Sequence, residues 1–331
     1  MAAAPGPTRL LISIVAYQAA DLTIACLASI EPELASLPGT RVVVVDNASP
    51  DGAAEPVERA IAERGWGAWA TLVRAPRNAG FAAGNNIAIR RLPAEAEFVL
   101  LLNPDTVVRP GALRLLLDFL VAHPEAGIAG GRSEDPDATP QMCCFRFPNA
   151  LSEALDRLGL GLLDRLFERH LVRLGIPEQP RPVDWVSGAF MLVRRAVIDR
   201  IGLMDEGYFL YFEETDFTLR ARCAGWTCWH VPQARIVHLV GQSSGVTVRE
   251  GAPRRVPSYW FESRRRYFVL NHGRAYAALA DLLVLAADPI GRLRHWLQRK
   301  PQRRPPHYWC DLACHSAVWR GVAPRSAAER P

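Results

Sequence analysis

Arg41-Val42-Val43-Val44-Val45-Asp46-Asn47-Ala48-Ser49-Pro50-Asp51-Gly52 is an unbroken β-branched run that ends in a polar, turn-forming segment. A run without polar alternation suits a strand covered on both faces, as in a parallel sheet flanked by helices. Upstream, Leu10–Val15 has the same character, and between the two runs Leu22, Ala25, Cys26, Ser29 and Ile30 recur at helical spacing. The opening therefore reads β-α-β. Downstream the alternation continues, with a helix over Pro56–Ala62, a strand over Ala70–Arg74, a helix over Ala82–Arg91, a strand over Glu97–Leu102, a helix over Pro110–Ala122 and a further strand from Gly127–Gly130. This pattern predicts an α/β fold with a mostly parallel central sheet and helices on both faces. Ligands of such sheets bind beyond the carboxyl ends of the strands.

Bulk properties are compatible with that reading. At 331 residues, 49% hydrophobic and 22% charged, the chain has the material for one large domain plus an appendage. Its net charge of +5 is localised: nine basic residues face three acids from Asp288 to Pro331, which leaves the body near neutrality. The body thus lacks the basic face of a nucleic-acid binder, and no nucleic-acid partner is expected. The seven cysteines are odd in number and lack paired spacing, which suits a reducing cytosol. His307, Cys310, Cys314 and His315 lack the second pair of a zinc site and read as incidental. Leu10–Tyr17 is too short for a signal peptide, and Ala275–Ala287 is interrupted by Asp281 and falls short of the roughly 20 residues that span a bilayer. No transmembrane helix is expected. From Lys300 onward partial disorder is expected.

The chemistry-bearing residues sit where the sheet would present them. Asp46 follows one strand, and Asn103-Pro104-Asp105 follows another. A carboxylate there accepts a hydrogen bond from a base or ribose, or coordinates a hard cation; each alone is equally a turn or a helix cap. Between them lies Arg77-Asn78-Ala79-Gly80-Phe81-Ala82-Ala83-Gly84-Asn85-Asn86, whose glycines admit close backbone approach ahead of a helix N-terminus. It matches neither GxGxxG nor a Walker loop. In the second half, Asp184–Val193 reads as a loop feeding a strand and Ala196–Ile201 as a short helix. Then Glu213, Glu214 and Asp216 fall within four residues at the mouth of a helix running through Leu219–Cys223, behind the aromatic run Tyr208-Phe209-Leu210-Tyr211-Phe212. Leucines over Leu151–Leu174 and the mixture of apolar residues and arginines over Tyr267–Leu297 suit either core-packing helices or peripheral docking on an anionic membrane.

Taken in order, Ser13-Ile14-Val15-Ala16-Tyr17, Val45-Asp46-Asn47-Ala48-Ser49, Asn78–Asn86, Leu102-Asn103-Pro104-Asp105, Trp185-Val186-Ser187-Gly188-Ala189 and Phe212-Glu213-Glu214-Thr215-Asp216 make the chain resemble glycosyltransferase family 2, from about Leu10 to Gly245. It looks most like bacterial rhamnosyltransferase-type members. The resemblance implies a GT-A fold over residues 1–250, with a nucleotide half to about 130 and an acceptor half over 131–250. A basic, helical tail suited to membrane association is expected over 251–331. It implies nucleotide-sugar contacts from Ala16, Tyr17, Asp46, Asn78, Gly80, Phe81, Gly84, Asn85, Asn103 and Asp105, with Asp46 on a pyrimidine base. Asp105 and His238 would hold Mg²⁺ or Mn²⁺, Asn103 departing from a strict DxD. Glu214 is the implied catalytic base, with Glu213 next in line, and Trp185, Ser187, Gly188 and Asp216 lie on the acceptor side, Asp216 as a helix cap or as a group that orients its neighbours. Donors implied are dTDP- or UDP-sugars, and the acceptor a glycan or polyprenyl-linked alcohol at the inner face of the plasma membrane, in cell-envelope polysaccharide synthesis. Two alternatives stay open: a processive polysaccharide synthase, which needs transmembrane helices and a QxxRW motif that do not appear, and a non-catalytic nucleotide-sugar binder on the same scaffold.

Overall fold

The computed structural model describes residues 10–239, 253–299 and 304–325. The last residues of the family resemblance, 240–245, and the tail segments 300–303 and 326–331 lie outside the described residues. Eleven strands form in chain order: β1 (Leu10–Ala16), β2 (Arg41–Asp46), β3 (Ala70–Arg74), β4 (Phe98–Leu102), β5 (Thr106–Val108), β6 (Ala126–Glu134), β7 (Cys144–Phe145), β8 (Arg181–Val183), β9 (Trp185–Val186), β10 (Phe190–Arg194) and β11 (Thr227–His238). The helices are α1 (Ala20–Ile30), α2 (Ala54–Glu63), α3 (Gly80–Ile89), α4 (Ala112–Ala122), α5 (Ala150–Leu158), α6 (Gly161–Leu166), α7 (Arg195–Ile201), α8 (Glu213–Cys223), α9 (Ser258–His272), α10 (Arg274–Leu297) and α11 (Tyr308–His315).

Nine strands make one sheet in the order β3-β2-β1-β4-β10-β6-β11-β5, with β8 on β11; β7 and β9 pair separately. β1, β2, β3, β4, β6 and β11 run one way, while β5, β8 and β10 run against them. The parallel strands alternate their side chains between two cores. On β4, Phe98, Leu100 and Leu102 join Leu27, Val57 and Leu116 under α1, α2 and α4. Val99 and Leu101 face the other way, onto Ala82, Val197 and Phe217 of α3, α7 and α8. Both pleat faces are thus apolar, which is why these segments read as continuous rather than alternating.

The topology brings the carboxyl ends of β1, β2, β4, β6 and β11 to one edge. The amino ends of the reversed strands β5 and β10 arrive at the same edge, through the pairs His238↔Thr106 and Phe190↔Leu102. Residues far apart in sequence, at the ends of β4 and β11 and ahead of β10, therefore become neighbours.

The C-terminal helices pack on this body, α10 lying against α5 and α9. The expected partial disorder beyond Lys300 is corrected for residues 304–325. They include α11, Arg304 donates to Asp288, and Arg325 reaches Asp205 and Asp216. Charge pairing of the tail arginines with buried acids accounts for this order. The leucine-rich stretch forms α5 and α6, and Leu155 and Leu174 are its buried members.

Candidate active site

The loops at the carboxyl edge of the sheet enclose a cavity of about 700 Å³. Tyr17 stands at the end of β1, Asn47 at the end of β2, and Asn103 and Asp105 after β4. Ser187 and Gly188 lead into β10, and His238 closes β11; all line the cavity. Backbone strain gathers here: Gln18, Ala48, Tyr211 and Phe212 are four of the seven non-glycine residues with left-handed φ among the described residues. Tertiary structure holds such conformations, typically where function needs them.

Gly80 shows why the sequence needs glycine at the start of α3. Its φ is +90°, and a Cβ there would lie 2.0 Å from the Phe209 carbonyl oxygen. That carbonyl instead accepts the Phe81 N–H at 2.8 Å, tying the first half of the chain to the aromatic loop ahead of α8. Asn78 Oδ1 accepts from Asn47 Nδ2 and from the Gly80 N–H, which fixes the turn. The Phe81 ring then lies over Gly188, which in turn adjoins Glu214.

At one end of the cavity, Asp105 is 2% exposed and its Oδ1 has no hydrogen-bond partner among the described residues. His238 Nε2 lies 3.4 Å from that oxygen and 3.3 Å from Asn103 Nδ2. The β5–β11 pairing holds the imidazole there, supported by the Leu239 N–H bond to the Asp105 carbonyl at 2.9 Å. An unpartnered buried carboxylate oxygen is costly. Facing an imidazole nitrogen across 3.4 Å, it makes the pair of a hard oxygen and a nitrogen donor on adjacent positions that suits a Mg²⁺- or Mn²⁺-type ion. The residues present therefore fit such a cation, which Asp105 and His238 could hold, although no group of three or more candidate ligands forms among the described residues.

On the wall formed by the start of α8, Glu213 and Glu214 enter the same cavity, and each leaves one Oε2 unpartnered among the described residues. Burial raises the Glu213 carboxyl well above its usual range, and the neighbouring Glu214 charge pushes it further. Glu214 is raised as well, chiefly by burial, with the N–H groups of Gly188 and of Glu214 itself pulling the other way. Both carboxyls are thus biased toward the protonated form, Glu213 the more strongly. Cys143 also lines the cavity, but burial pushes its thiol up to about 11, so it stays protonated and non-nucleophilic.

Of the residues singled out in the sequence, Tyr17, Asn78, Gly80, Phe81, Asn103, Asp105, Trp185, Ser187, Gly188, Glu213, Glu214 and His238 share this one cavity. Ala16, Asp46, Gly84 and Asn85 are not in its wall. Asp46 Oδ2 accepts the Ser49 N–H at 3.2 Å, the turn geometry open to it from the start. Asn85 accepts from Ser13 Oγ, and Gly84 lets α3 approach Val15. Asp216 is corrected: it does not face the acceptor side. It is buried and bound by Arg220, Arg325, Asn271 and the Tyr208 hydroxyl, so it anchors α8 from behind. Phe209, Tyr211, Gln141 and Tyr259 line the cavity without having been singled out. The aromatic run announced the first two, while nothing local marks Gln141 or Tyr259.

Solved structures share this fold. The mannosyltransferase PcManGT from Pyrobaculum calidifontis, in complex with GDP-Man and Mn²⁺, superposes with a TM-score of 0.52 at 17% identity, over 96% of this chain and 89% of that one. GalNAc-T7 with UDP, GalNAc and Mn²⁺ gives 0.58 at 13% identity, over 96% of this chain and 60% of the other. The fold is GT-A. The sequence narrows this: the family described as "Glycosyltransferase like family 2" matches residues 7–255, and the chain belongs to it. It is 29% identical over 219 residues to N-acetylglucosaminyl-diphospho-decaprenol L-rhamnosyltransferase of Mycobacterium tuberculosis, covering 62% of this chain and 68% of the relative. It is 27% identical over 164 residues to the rhamnosyltransferase WbbL of Escherichia coli strain K12, covering 48% and 60%.

Proposed function

We propose that the chain transfers a sugar, with inversion and with the help of a divalent cation, from a nucleoside diphosphate donor to an alcohol on a glycan or polyprenyl-linked acceptor. The observation that carries this reading is the meeting, in one cavity, of the unpartnered Asp105–His238 pair with the proton-binding Glu213–Glu214 pair. The rhamnosyltransferase relatives favour rhamnose as the sugar, and the mycobacterial relative a polyprenyl diphosphate acceptor; the family resemblance suggests dTDP-rhamnose as donor, with UDP-sugars as the alternative. Such work belongs to cell-envelope polysaccharide assembly at the cytoplasmic face of the membrane.

Asn103 hydrogen-bonds ribose or phosphate, and Asn78, Gly80 and Phe81 bound the donor on the side of α3. Asp105 and His238 hold the cation, which when bound supplies positive charge to the leaving diphosphate. Glu214 removes the proton from the acceptor hydroxyl as its oxygen bonds to the anomeric carbon. The bond from that carbon to the diphosphate oxygen breaks on the opposite face, and the nucleoside diphosphate departs with the electron pair. Trp185, stacked on Phe145 with ring centroids 4.3 Å apart, offers a flat apolar wall to the acceptor sugar. The residue spans proposed for these roles are 1–250 for the catalytic domain and 251–331 for the helical tail.

Two expected results test this. Asp105→Ala abolishes the Mn²⁺-dependent part of donor affinity, read by calorimetry with dTDP-rhamnose and UDP-sugars in the presence and absence of Mn²⁺; a variant that still gains affinity from Mn²⁺ rejects the assigned site. The second is a pH profile. Turnover rises with pH as Glu214 loses its proton, and the limb lies above the ordinary glutamate value of about 4.3. Glu213→Gln keeps a limb above that value, because burial, the chief cause of the Glu214 shift, is unchanged. Loss of turnover in Glu213→Gln would instead make Glu213 the base.

A further inference from the structure

Helix α10 is apolar on both faces: Ala277, Ala280, Val284 and Ala287 pack inward, and a second apolar row faces out. The acids on it, Asp281 and Asp288, are buried, paired with Arg264 and with Arg292 and Arg304 respectively. Its outward positions, Ala275, Leu279, Leu282, Leu283, Ala286, Pro289, Ile290, Leu293, Trp296 and Leu297, are all exposed and all apolar. Exposure is greatest toward the carboxyl end, at 56% for Ile290, 57% for Leu293 and 70% for Trp296. At 1.5 Å per residue the stripe runs roughly 33 Å without one polar side chain. Contiguous apolar surface of this extent is rare on a protein that meets only water.

We infer that the outward face of α10 docks the protein on an anionic lipid bilayer, lying in the plane of the headgroups. No helix among the described residues is long and apolar enough to cross a membrane. The inward side of α10 is packed against α5 and α9, so insertion is confined to the outward stripe. Trp309 is seated beside the stripe by its Nε1–H bond to the Leu285 carbonyl and is 42% exposed. Exposed Trp319 follows Val318, whose carbonyl accepts from Arg274 at the amino end of α10. Indole rings at the margin of an apolar face are suited to the interface between water and acyl chains.

A second copy of the chain is the competing occupant, since positions 275, 279, 282, 286, 289, 293 and 296 step by four and three like a coiled-coil seam. Two features favour lipid. A further apolar row, Leu283, Ile290 and Leu297, stands where a paired helix carries the charges that set register. The charges α10 leaves near the surface are also basic, because its acids are consumed in internal pairs. Two copies would bring like charges together, whereas phosphatidylglycerol or a similar headgroup opposes them. The inference deepens the polyprenyl-acceptor reading, since α9 packs on α10 and lends Tyr259 to the cavity wall.

The test needs no turnover. The full chain is sedimented with phosphatidylcholine vesicles that contain or lack phosphatidylglycerol, alongside the double variant Leu283→Glu, Ile290→Glu, whose side chains are exposed and so do not tax folding. Wild type is expected to sediment with the anionic vesicles, and the variant to partition about tenfold less or weaker. Equal sedimentation of the two proteins overturns the inference, as does wild type that stays in the supernatant with both vesicles. A dimer in vesicle-free buffer that the double variant dissolves, seen by light scattering, assigns the face to a second copy and overturns it as well. Donor hydrolysis by the variant in vesicle-free buffer stays at the wild-type level, so failure of docking and failure of the glycosyl-transfer reading are told apart.

Discussion

Glu214→Gln is expected to bind donor as wild type does and to lose about 10²–10⁴-fold in turnover. The amide keeps the size and the contact with the Gly188 N–H but cannot take up a proton. Glu213 is not expected to substitute for it, because burial and the adjacent carboxylate hold its carboxyl well above the usual range. Folding is not what fails: removing a desolvated carboxylate crowded by another relieves unfavourable burial, so thermal stability should hold or rise. The measurements are product formation at saturating donor and acceptor, donor affinity by calorimetry, and a melting curve. Turnover within a few-fold of wild type would remove Glu214 as base, and a fall in donor affinity matching the fall in rate would make it a binding residue instead.

The division of the Glu213–Asp216 cluster shows what the sequence could and could not convey. Three acids in four residues look like one site, yet on a helix two positions apart means a turn of about 200°. Glu214 and Asp216 therefore face nearly opposite ways, and once Glu214 enters the cavity Asp216 must meet the protein behind, where Arg220 and Arg325 receive it. The strand ends were legible because a doubly buried strand is apolar throughout and its first polar residue marks where it leaves the sheet; Asp46 and Asn103 are such residues. Direction was not legible. β10 is as apolar as β4, and nothing in Phe190–Arg194 says that it runs backward between β4 and β6. That reversal is what delivers Ser187 and Gly188 to the cavity. The face of α10 was equally hidden, since helical periodicity looks the same whether the apolar stripe points inward or outward, and burial of Asp281 and Asp288 breaks the tie.

Asp281→Ala is expected to cost about 3–5 kcal/mol, the usual result of removing one partner from a buried ion pair. Its Oδ1 pairs with Arg264, which is 1% exposed and also meets Glu153 of α5. Its Oδ2 accepts from Ser316 Oγ at 2.8 Å and from the Ala317 N–H at 2.7 Å. This carboxylate thus ties α10 to α9 and to the turn after α11; its loss leaves Arg264 with Glu153 as its remaining acid and takes the acceptor from two further donors. The strain is transmitted toward the cavity, because α9 also holds the aromatic loop ahead of Glu213: Ser263 Oγ bonds the Leu210 carbonyl, and Arg266 forks onto Asp205. A lower urea midpoint with an unchanged slope is therefore expected, together with reduced turnover below the new midpoint. Asp281→Asn, which keeps an acceptor but no charge, should fall between the two proteins. An unaltered midpoint in Asp281→Ala would mean that these helices do not draw their stability from this pair, and that the loop carrying the catalytic glutamates is held by the β-sheet body alone.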